Sequence, residues 1–525
     1  MQKRGSQTIS LVKLHLQQLD YYGAWRSFIR LNVHDEVRKA TLAKWLKSGY
    51  ELYHFQFNHL FSTLSELYEE RWITHDQFSL AWDHWDHLIN QEGSQQLVLL
   101  DSLQDEVHHM ELYLKVGDYL AFLTRLYRFR ELLILYLYLK AGKEEWVQQY
   151  QPGRAPESIK ELEGLYLSHE LRSHYGAYMF LHSKQLSEVI HLRNHSLIGH
   201  GRLGVTSTSV WQTYGRKWYR SNRISTQAFL EDMTILFQDL GVELTENPYR
   251  IFVDGIIRAL DVFGTEYPDL AAPLPDNAMF EVYLQQYQYQ TLLNQIDHKQ
   301  LPGKLMPSLN CAQSMLLGNL SVEQCQLMKN TFTKYTEETI RPSPLTLLLP
   351  LVEGRQSSFI NFLYSQLQVF ERRHDYGEMM IRVYRLMEEL MIYFLGYDVD
   401  AQKVCLVPQS NVKPRVNIGT RSHTFSGLQK ALKQAETSGP WHDFYAVVKE
   451  PWWDGVAEEH RHSIVGHGIE SITLEHIEET LGLTLPQLLD KLEQVMKLLG
   501  IVIEANYFDT LNELILWKYR TLQKQ

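Results

Sequence analysis

The chain has 525 residues, 44% of them hydrophobic, with a formal net charge of −11 at neutral pH. This length can bury more than one core and suggests two to four domains. The acidic balance argues against a general nucleic-acid coat protein, so a nucleic-acid site would have to be a local basic patch.

Three cysteines form neither a CxxC pair nor a disulfide framework, which is typical of a reducing cytoplasm, and no zinc site is apparent. The first residues lack the apolar core of a signal peptide. The longest apolar runs, such as residues 132–139, are too short to span a bilayer. We therefore expect a soluble, cytoplasmic protein with no membrane contact and no cofactor.

Residues 1–105 alternate apolar and polar positions at helical spacing, which predicts an N-terminal helical region. Within it, Asp83 and His87 are four residues apart, a spacing that can chelate a metal on a helix face. A surface helix with aromatic and polar residues is the favoured interpretation of this cluster. The pair His108 and His109 indicates no particular function.

A long amphipathic helix is predicted next, and its polar residues recur later in the chain. The first copy contains Asp118, Arg125, Tyr127, Arg128, Glu131 and Tyr136, and the second contains Asp375, Arg382, Tyr384, Arg385, Glu388 and Tyr393 with the same internal spacing. We expect the tyrosines and the aliphatic residues between them in the core. The Arg128/Glu131 and Arg385/Glu388 spacings suit local ion pairs with a supporting role.

A second duplication involves histidine. The segment from Arg193 to Gly201 reads Arg-Asn-His-Ser-Leu-Ile-Gly-His-Gly, so Arg193 and His200 are seven residues apart. On a helix that advances about 100° per residue, this spacing puts both side chains on one face. Imidazole can transfer protons near neutral pH, and arginine is a fixed cation suited to phosphate.

The stretch from His191 to Arg223 has six basic residues and no acidic one. Trp211, Tyr214, Trp218 and Tyr219 lie between the charges. This pattern suits a phosphate backbone whose bases stack on aromatic rings, and a solvated loop is the alternative. The candidate RNA-binding residues are Arg202, Arg216, Lys217, Trp218 and Arg220.

Proline and glycine mark connections at residues 241–277 and 337–358, which predict a helical connector at 266–360 between units at 106–265 and 361–525. Residues 404–416 contain two prolines and are expected to form a loop or short hairpin inside the second unit.

The second histidine segment reads Arg-His-Ser-Ile-Val-Gly-His-Gly from Arg461 to Gly468. Arg461 and His467 are six residues apart, about 120° from a common helix face, whereas His460 is seven residues before His467. Glutamates surround this copy, in contrast to the first. Alignment through the later His places His460 at the position of Arg193 and Arg461 at that of Asn194.

The string Arg193-Asn194-x-Ser196-x-x-x-His200-Gly201 resembles the signature of HEPN-domain ribonucleases, especially the version in CRISPR-associated CARF–HEPN effectors. The resemblance covers roughly residues 106–245 and 361–520. It implies an all-α fold with two HEPN-like helical bundles in tandem after the N-terminal helical region. It also implies a metal-independent endoribonuclease in which both Arg/His pairs line one composite cleft.

In such an enzyme the 2′-hydroxyl of single-stranded RNA is the nucleophile, so the protein positions the backbone, moves protons and stabilises the phosphorane. The resemblance assigns catalysis to Arg193, Asn194, His200, Arg461 and His467. Supporting roles fall to the remaining polar residues of the two segments, namely Ser196, His460 and Ser463.

CARF–HEPN effectors carry a Rossmann-like sensor of cyclic oligoadenylate before the helical part. Residues 1–105 show neither buried strands alternating with helices nor a Gly-rich first turn. An activating ligand or a regulatory protein is a possible partner. The composite site would allow a monomer with a pseudo-dimeric HEPN pair, and a homo-oligomer is the other option.

The activity would serve antiviral or toxin-type defence. A noncatalytic RNA-binding or defence-complex scaffold with the same fold is the competing hypothesis. A metal-dependent nuclease or deaminase would need carboxylate or Cys/His clusters that the sequence does not show.

Overall fold

The computed structural model describes residues 8–53, 57, 59–90, 94–150, 155–196, 205, 207–215, 226–271, 276–297, 301–318, 356–395, 397–398, 403–404, 429, 440–462 and 473–523. The backbone alone is described for 155–156, 195, 215, 271, 276–278, 294, 297, 395, 397–398, 403–404, 440–442 and 457–462.

The protein is all-α, as the sequence predicts. Its helices are α1 Ile9–Gln17, α2 Tyr21–Ile29, α3 Glu36–Tyr53, α4 Leu60–Glu69, α5 His75–Asn90, α6 Gln95–Val116, α7 Tyr119–Lys140, α8 Glu144–Gln149, α9 Ala155–Leu167, α10 Tyr175–Leu181, α11 Lys184–His195, α12 Ser207–Gly215, α13 Thr226–Asp239, α14 Pro248–Glu266, α15 Pro268–Ala271, α16 Asp276–Gln285, α17 Tyr289–Asp297, α18 Met306–Leu316, α19 Gln356–Arg372, α20 Tyr376–Leu395, α21 Pro440–Val448, α22 Pro451–His462, α23 Leu474–Leu481, α24 Leu485–Leu498 and α25 Tyr507–Gln523. Short 3₁₀ turns lie at Arg172–His174 and Gly303–Leu305. A two-residue antiparallel hairpin pairs β1 Tyr397–Asp398 with β2 Lys403–Val404.

The chain forms two compact units, one spanning Met1–Asn194 with Val205–Phe280 and the other His195–Gly204 with Glu281–Gln525. Equivalent structure recurs along the chain, and we call residues 8–266 the first repeat and 276–523 the second repeat. No helix in the described ranges is both long enough and apolar enough to cross a bilayer.

The repeats begin with the same helical hairpin, α1–α2 and α16–α17. Each turn follows a Leu-Gln-Gln string and has a residue other than glycine in the left-handed region, Leu19 at φ 60° and Tyr287 at φ 58°. Their backbone N–H groups donate to Leu16 and Leu284 at 3.1 Å. Residues 276–297 lie in the predicted connector at 266–360, and their helical hairpin repeats the hairpin at the start of the chain.

An ion pair with exchanged charges joins each hairpin to the last helix of its repeat. Lys13 of α1 pairs with Asp261 of α14. At the equivalent positions Glu281 of α16 accepts a hydrogen bond from Arg520 of α25 at 2.7 Å. The contact is therefore duplicated, although both signs of charge are reversed.

The central hairpins, α6–α7 and α19–α20, are also equivalent. Gly117 at φ 75° and His374 at φ 54° make the turns. Asp118 and Asp375 then cap α7 and α20 by accepting hydrogen bonds from the N–H groups three residues later, at 3.0 and 3.2 Å. These helices confirm the duplicated helix predicted from sequence, but both are buried on nearly all faces, so neither has the solvent-exposed face expected of an amphipathic helix.

Each repeat ends with a pair of helices, α13–α14 and α24–α25, around an asparagine. Asn247 donates through Nδ2 to the carbonyl of His108 at 3.0 Å and accepts from the N–H of Tyr249. Asn506 donates to the carbonyl of Ser365 at 3.2 Å and accepts from Phe508 in the same way. These bonds tie the last helix to the first helix of the central hairpin.

Candidate active site on equivalent helices

The first histidine motif begins at the C-terminal end of α11. The hydroxyl of Ser183 caps this helix by accepting a hydrogen bond from the N–H of Leu186 at 3.1 Å. Arg193 and Asn194 occupy the last turn, and Ser196 directly after the helix is buried. A cation in a last turn is favoured by the partial negative charge of the terminal carbonyls.

A shared helix face for Arg193 and His200 requires a helix that runs through both residues. Because α11 ends at His195, no single helix contains both residues, and the predicted shared helix face is wrong. His200 and Gly201 lie outside the described residues. Their role as partners of Arg193 stays a prediction.

The guanidinium of Arg193 rests on an aromatic ring. Its central carbon is 4.5 Å from the ring centroid of Tyr127 in α7, and its Nη1 donates to Asn194 Oδ1 at 3.3 Å. Burial lowers the pKa of Arg193, while Tyr127 and Glu131 raise it. Because an arginine pKa starts above about 12, the half-buried side chain stays cationic and suited to phosphate.

Helix α7 brings three residues to Arg193 through the spacings i, i+3 and i+4 from Tyr127. The Arg130 guanidinium carbon is 4.7 Å from the same Tyr127 ring centroid. Glu131 accepts a hydrogen bond from the Tyr127 hydroxyl, and burial together with this carboxylate raises the pKa of Tyr127 to about 12. Tyr127 is therefore a neutral donor at physiological pH.

The second motif lies at the end of the equivalent helix, α22, which Trp453 anchors in the core. Its last turn holds His460 and Arg461, of which the structure describes the backbone. Ser463 and His467 lie outside the described residues.

No protein-family model, curated protein or solved structure matches this chain.

The predicted RNA-binding role of the basic stretch after the first motif stays a prediction. Arg202, Arg216, Lys217, Trp218 and Arg220 lie outside the described residues. Two aromatic residues of the stretch belong instead to the core, because the rings of Trp211 and Tyr214 are buried and contact Phe229. Their interpretation as exposed rings for base stacking is wrong.

Sequence reasoning missed Glu106, a buried carboxylate of α6. Its Oε1 is 2.7 Å from Arg128 Nε and 3.4 Å from Arg125 Nη1. The predicted local pair is confirmed in the second repeat, where Arg385 binds Glu388. The signal was available in sequence, because two buried arginines three residues apart need carboxylates, either from their own helix or from a packed neighbour.

In the second repeat, Leu363 occupies the position of Glu106. Arg385 instead pairs with two carboxylates of its own helix, Glu388 and Glu389, the latter at 2.9 Å. The buried Arg382 lies 3.2 Å from Glu378 and stacks on Phe370. The two repeats therefore neutralise equivalent arginines with different acids.

His84 and His109 are buried beside Asp105, although a surface helix was the favoured interpretation of the segment that contains His84. His84 Nε2 is 3.2 Å from Asp105 Oδ1, which also accepts a hydrogen bond from Tyr249 at 2.8 Å. His109 Nε2 is 2.9 Å from the Tyr249 hydroxyl.

His109 thus joins α6 to α14, and His108 Nε2 lies 3.2 Å from the hydroxyl of Thr245, which precedes α14. Asp83 and His87 are exposed, and His87 Nδ1 lies 3.6 Å from Asp101 Oδ2 of α6. No metal-binding group of three His, Cys, Asp or Glu residues occurs within the described ranges.

Proposed function

We propose that the chain is a metal-independent endoribonuclease that cleaves single-stranded RNA by attack of the 2′-hydroxyl at a composite site of its two Arg/His motifs. His200 and His467 would transfer protons, and Arg193 and Arg461 would bind the scissile phosphate. The proposal follows the HEPN resemblance, with antiviral, CRISPR-associated or toxin-type defence as the setting.

The observation that carries this proposal is the equivalence of the helices on which the motifs begin. α11 and α22 each follow a short helix, α10 or α21, that packs on the penultimate helix of its repeat, α13 or α24. A motif repeated at the same point of a duplicated fold is more specific than a matching string of letters. It supports two halves of one site with a common origin.

The residue types fit the chemistry. RNA supplies its own nucleophile, so the protein has to orient the backbone, exchange protons and stabilise the charge of the phosphorane. The products would end in a 2′,3′-cyclic phosphate and a 5′-hydroxyl. Asn194 and Ser196 would orient the first half, and His460 and Ser463 the second.

The first half has the stronger support for phosphate binding. The half-buried guanidinium of Arg193 is fixed on Tyr127. In the second half His460 stands at the equivalent position, and Arg461 is displaced by one residue. We therefore assign phosphate binding chiefly to the first repeat and proton transfer to both.

The test is cleavage of single-stranded RNA in EDTA by wild type and by the single variants His200→Ala and His467→Ala. His191→Ala is the matched control, because His191 is an exposed histidine of α11 close to the motif. Loss of a general acid or base should reduce the rate about 10²- to 10⁴-fold, and the control should keep the wild-type rate.

Loss of activity in both variants would support one composite site, and loss in His200→Ala alone would exclude the second motif from catalysis. Absence of cleavage by wild type under all conditions, with RNA binding retained, would favour the noncatalytic scaffold. Activity that EDTA abolishes would contradict the metal-independent mechanism.

A further inference from the structure

Two guanidinium groups meet at one tyrosine beside the first motif. Arg193 of α11 and Arg130 of α7 lie 4.5 and 4.7 Å from the ring centroid of Tyr127. Sequence reasoning singled out Arg193 and gave Arg130 no role. Two like charges on one ring repel each other, so the fold holds them together at a cost in free energy.

One donor of the Arg130 guanidinium lacks a hydrogen-bond partner among the residues that the structure describes. Its side chain is 7% exposed, and its buried Nε has no hydrogen-bond acceptor among the described residues. Burial and the nearby Glu131 and Tyr127 raise the pKa of Tyr150, and Arg130 lowers it, so Tyr150 belongs to the same cluster. Its buried hydroxyl also has no hydrogen-bond partner in the described part of the chain. A buried donor without an acceptor calls for an explanation, and a ligand that accepts hydrogen bonds is one such explanation.

The local charge matches a singly charged anion. Arg130 and Arg193 contribute two positive charges, and Glu131 contributes one negative charge. Glu131 accepts a hydrogen bond from the Tyr127 hydroxyl and balances one of the two cations. The remaining single positive charge equals the charge of one phosphodiester group.

The second repeat shows that the fold does not require this arrangement. Met387 occupies the position of Arg130, and His460 that of Arg193. The acid equivalent to Glu131 is Glu388, which pairs with Arg385. A fully buried methionine thus suffices at this place in the same helical hairpin.

We propose that Arg130 and Arg193, both stacked on Tyr127, form a binding site for one phosphodiester group of an RNA strand, with the Tyr150 hydroxyl as a further donor. The assignment of RNA as the ligand rests on the proposed ribonuclease function. Arg130 is then a phosphate-binding residue outside both motifs, supplied by α7.

The test uses the full chain and Arg130→Met, which installs the residue of the second repeat. Arg26→Met is the matched control, because Arg26 also stacks on a tyrosine, Tyr22, at 5.6 Å. Thermal unfolding is measured with and without inorganic phosphate. Binding is measured with 2′-O-methyl single-stranded RNA, which cannot undergo 2′-hydroxyl cleavage.

In phosphate-free buffer Arg130→Met should raise Tm, because it removes a buried charge that lacks an acceptor. Phosphate should stabilise wild type and leave Arg130→Met unchanged. The variant should bind the RNA about tenfold more weakly, and the slope of log K against log salt should fall by about 0.7. Arg130→Lys, which keeps the charge, should retain part of the affinity.

A lower Tm for Arg130→Met together with unchanged RNA affinity would make Arg130 a structural residue and overturn the inference. An equal loss of affinity in Arg26→Met would also overturn it, because the effect would then be one of general charge. Cleavage by wild type with unaltered binding in Arg130→Met would leave the ribonuclease intact without this site. Loss of phosphate stabilisation in a protein that cleaves no RNA would keep the site and refute the ribonuclease.

Discussion

The buried histidines of α6 make the first repeat sensitive to acid. Burial lowers the pKa of His108 to about 3, and it lowers the pKa of His109 to about 3 as well. Charged groups also face these rings: Asp105 opposes the shift, and His84 and Arg125 add to it. Both rings are therefore neutral in the folded protein over the ordinary pH range.

In the unfolded chain a histidine has a pKa near 6.5. Above this value both states hold the neutral ring, and the stability is fully present. As pH falls below about 6.5, these histidines take up protons in the unfolded state, whereas in the folded state they do so only near pH 3. The free energy of unfolding therefore decreases with acid. For one histidine the loss between pH 8 and 5 is about 2 kcal/mol, and for both it is about 4 kcal/mol.

The second repeat supplies the matched variants. Ser365 and Gln366 stand at the positions of His108 and His109, so His108→Ser and His109→Gln each remove one titrating group. The free energy of unfolding is measured by urea denaturation at several pH values between 8 and 5. Hydrogen exchange of peptides from α6 and α19 then assigns the change to a repeat.

In each single variant the free energy of unfolding should fall by about 2 kcal/mol between pH 8 and 5, which is half of the decrease expected in wild type. The protection factors of amides in α6 should fall with acid more than those in α19. Equal pH dependence in wild type and in both variants would refute the reasoning, and so would wild-type stability that stays constant from pH 8 to 5.

Three further predictions concern packing and charge, and all are measured as changes in the free energy of unfolding. Asn247→Ala and Asn506→Ala should destabilise by similar amounts, ~1–3 kcal/mol each, because each leaves equivalent buried backbone groups without a partner. Glu106→Gln should cost ~3–5 kcal/mol, because it leaves two buried arginines without their carboxylate. Lys13→Glu should cost below ~1 kcal/mol, and adding Asp261→Lys should restore the loss, since the second repeat uses the reversed pair.

The sequence predicted helices wherever an apolar stripe persisted, as in α7 and α20, because helical periodicity is a local property. It missed the duplication of the hairpins α1–α2 and α16–α17. Three shared letters, Leu-Gln-Gln, cannot be told from chance in a chain of this length. The equivalence becomes visible in the backbone, where Leu19 and Tyr287 adopt the same left-handed conformation.

The candidate site shows the same limit. The motif string identified Arg193 from local spacing, but the contact with Tyr127 joins two helices that are distant in the chain. The role of Arg130 was equally hidden, since an arginine on an amphipathic helix usually reaches solvent. For Trp211 the sequence predicted too much exposure, because aromatic residues among charged ones suggest a surface, whereas this ring is buried.

In each repeat, the acid that pairs with the buried arginine of the central hairpin determines the partner of the carboxylate beside the motif. In the first repeat Glu106 of α6 neutralises Arg128, while Glu131 contacts Tyr127 at the motif. In the second repeat, where leucine replaces Glu106, Arg385 binds Glu388, the equivalent of Glu131. Both Glu131 and Glu388 are buried, and where the carboxylate on the packed helix is absent the acid at this position pairs with the core arginine. An arginine pair like that of the first repeat would lack its counter-charge there, which agrees with the methionine and histidine that replace both arginines.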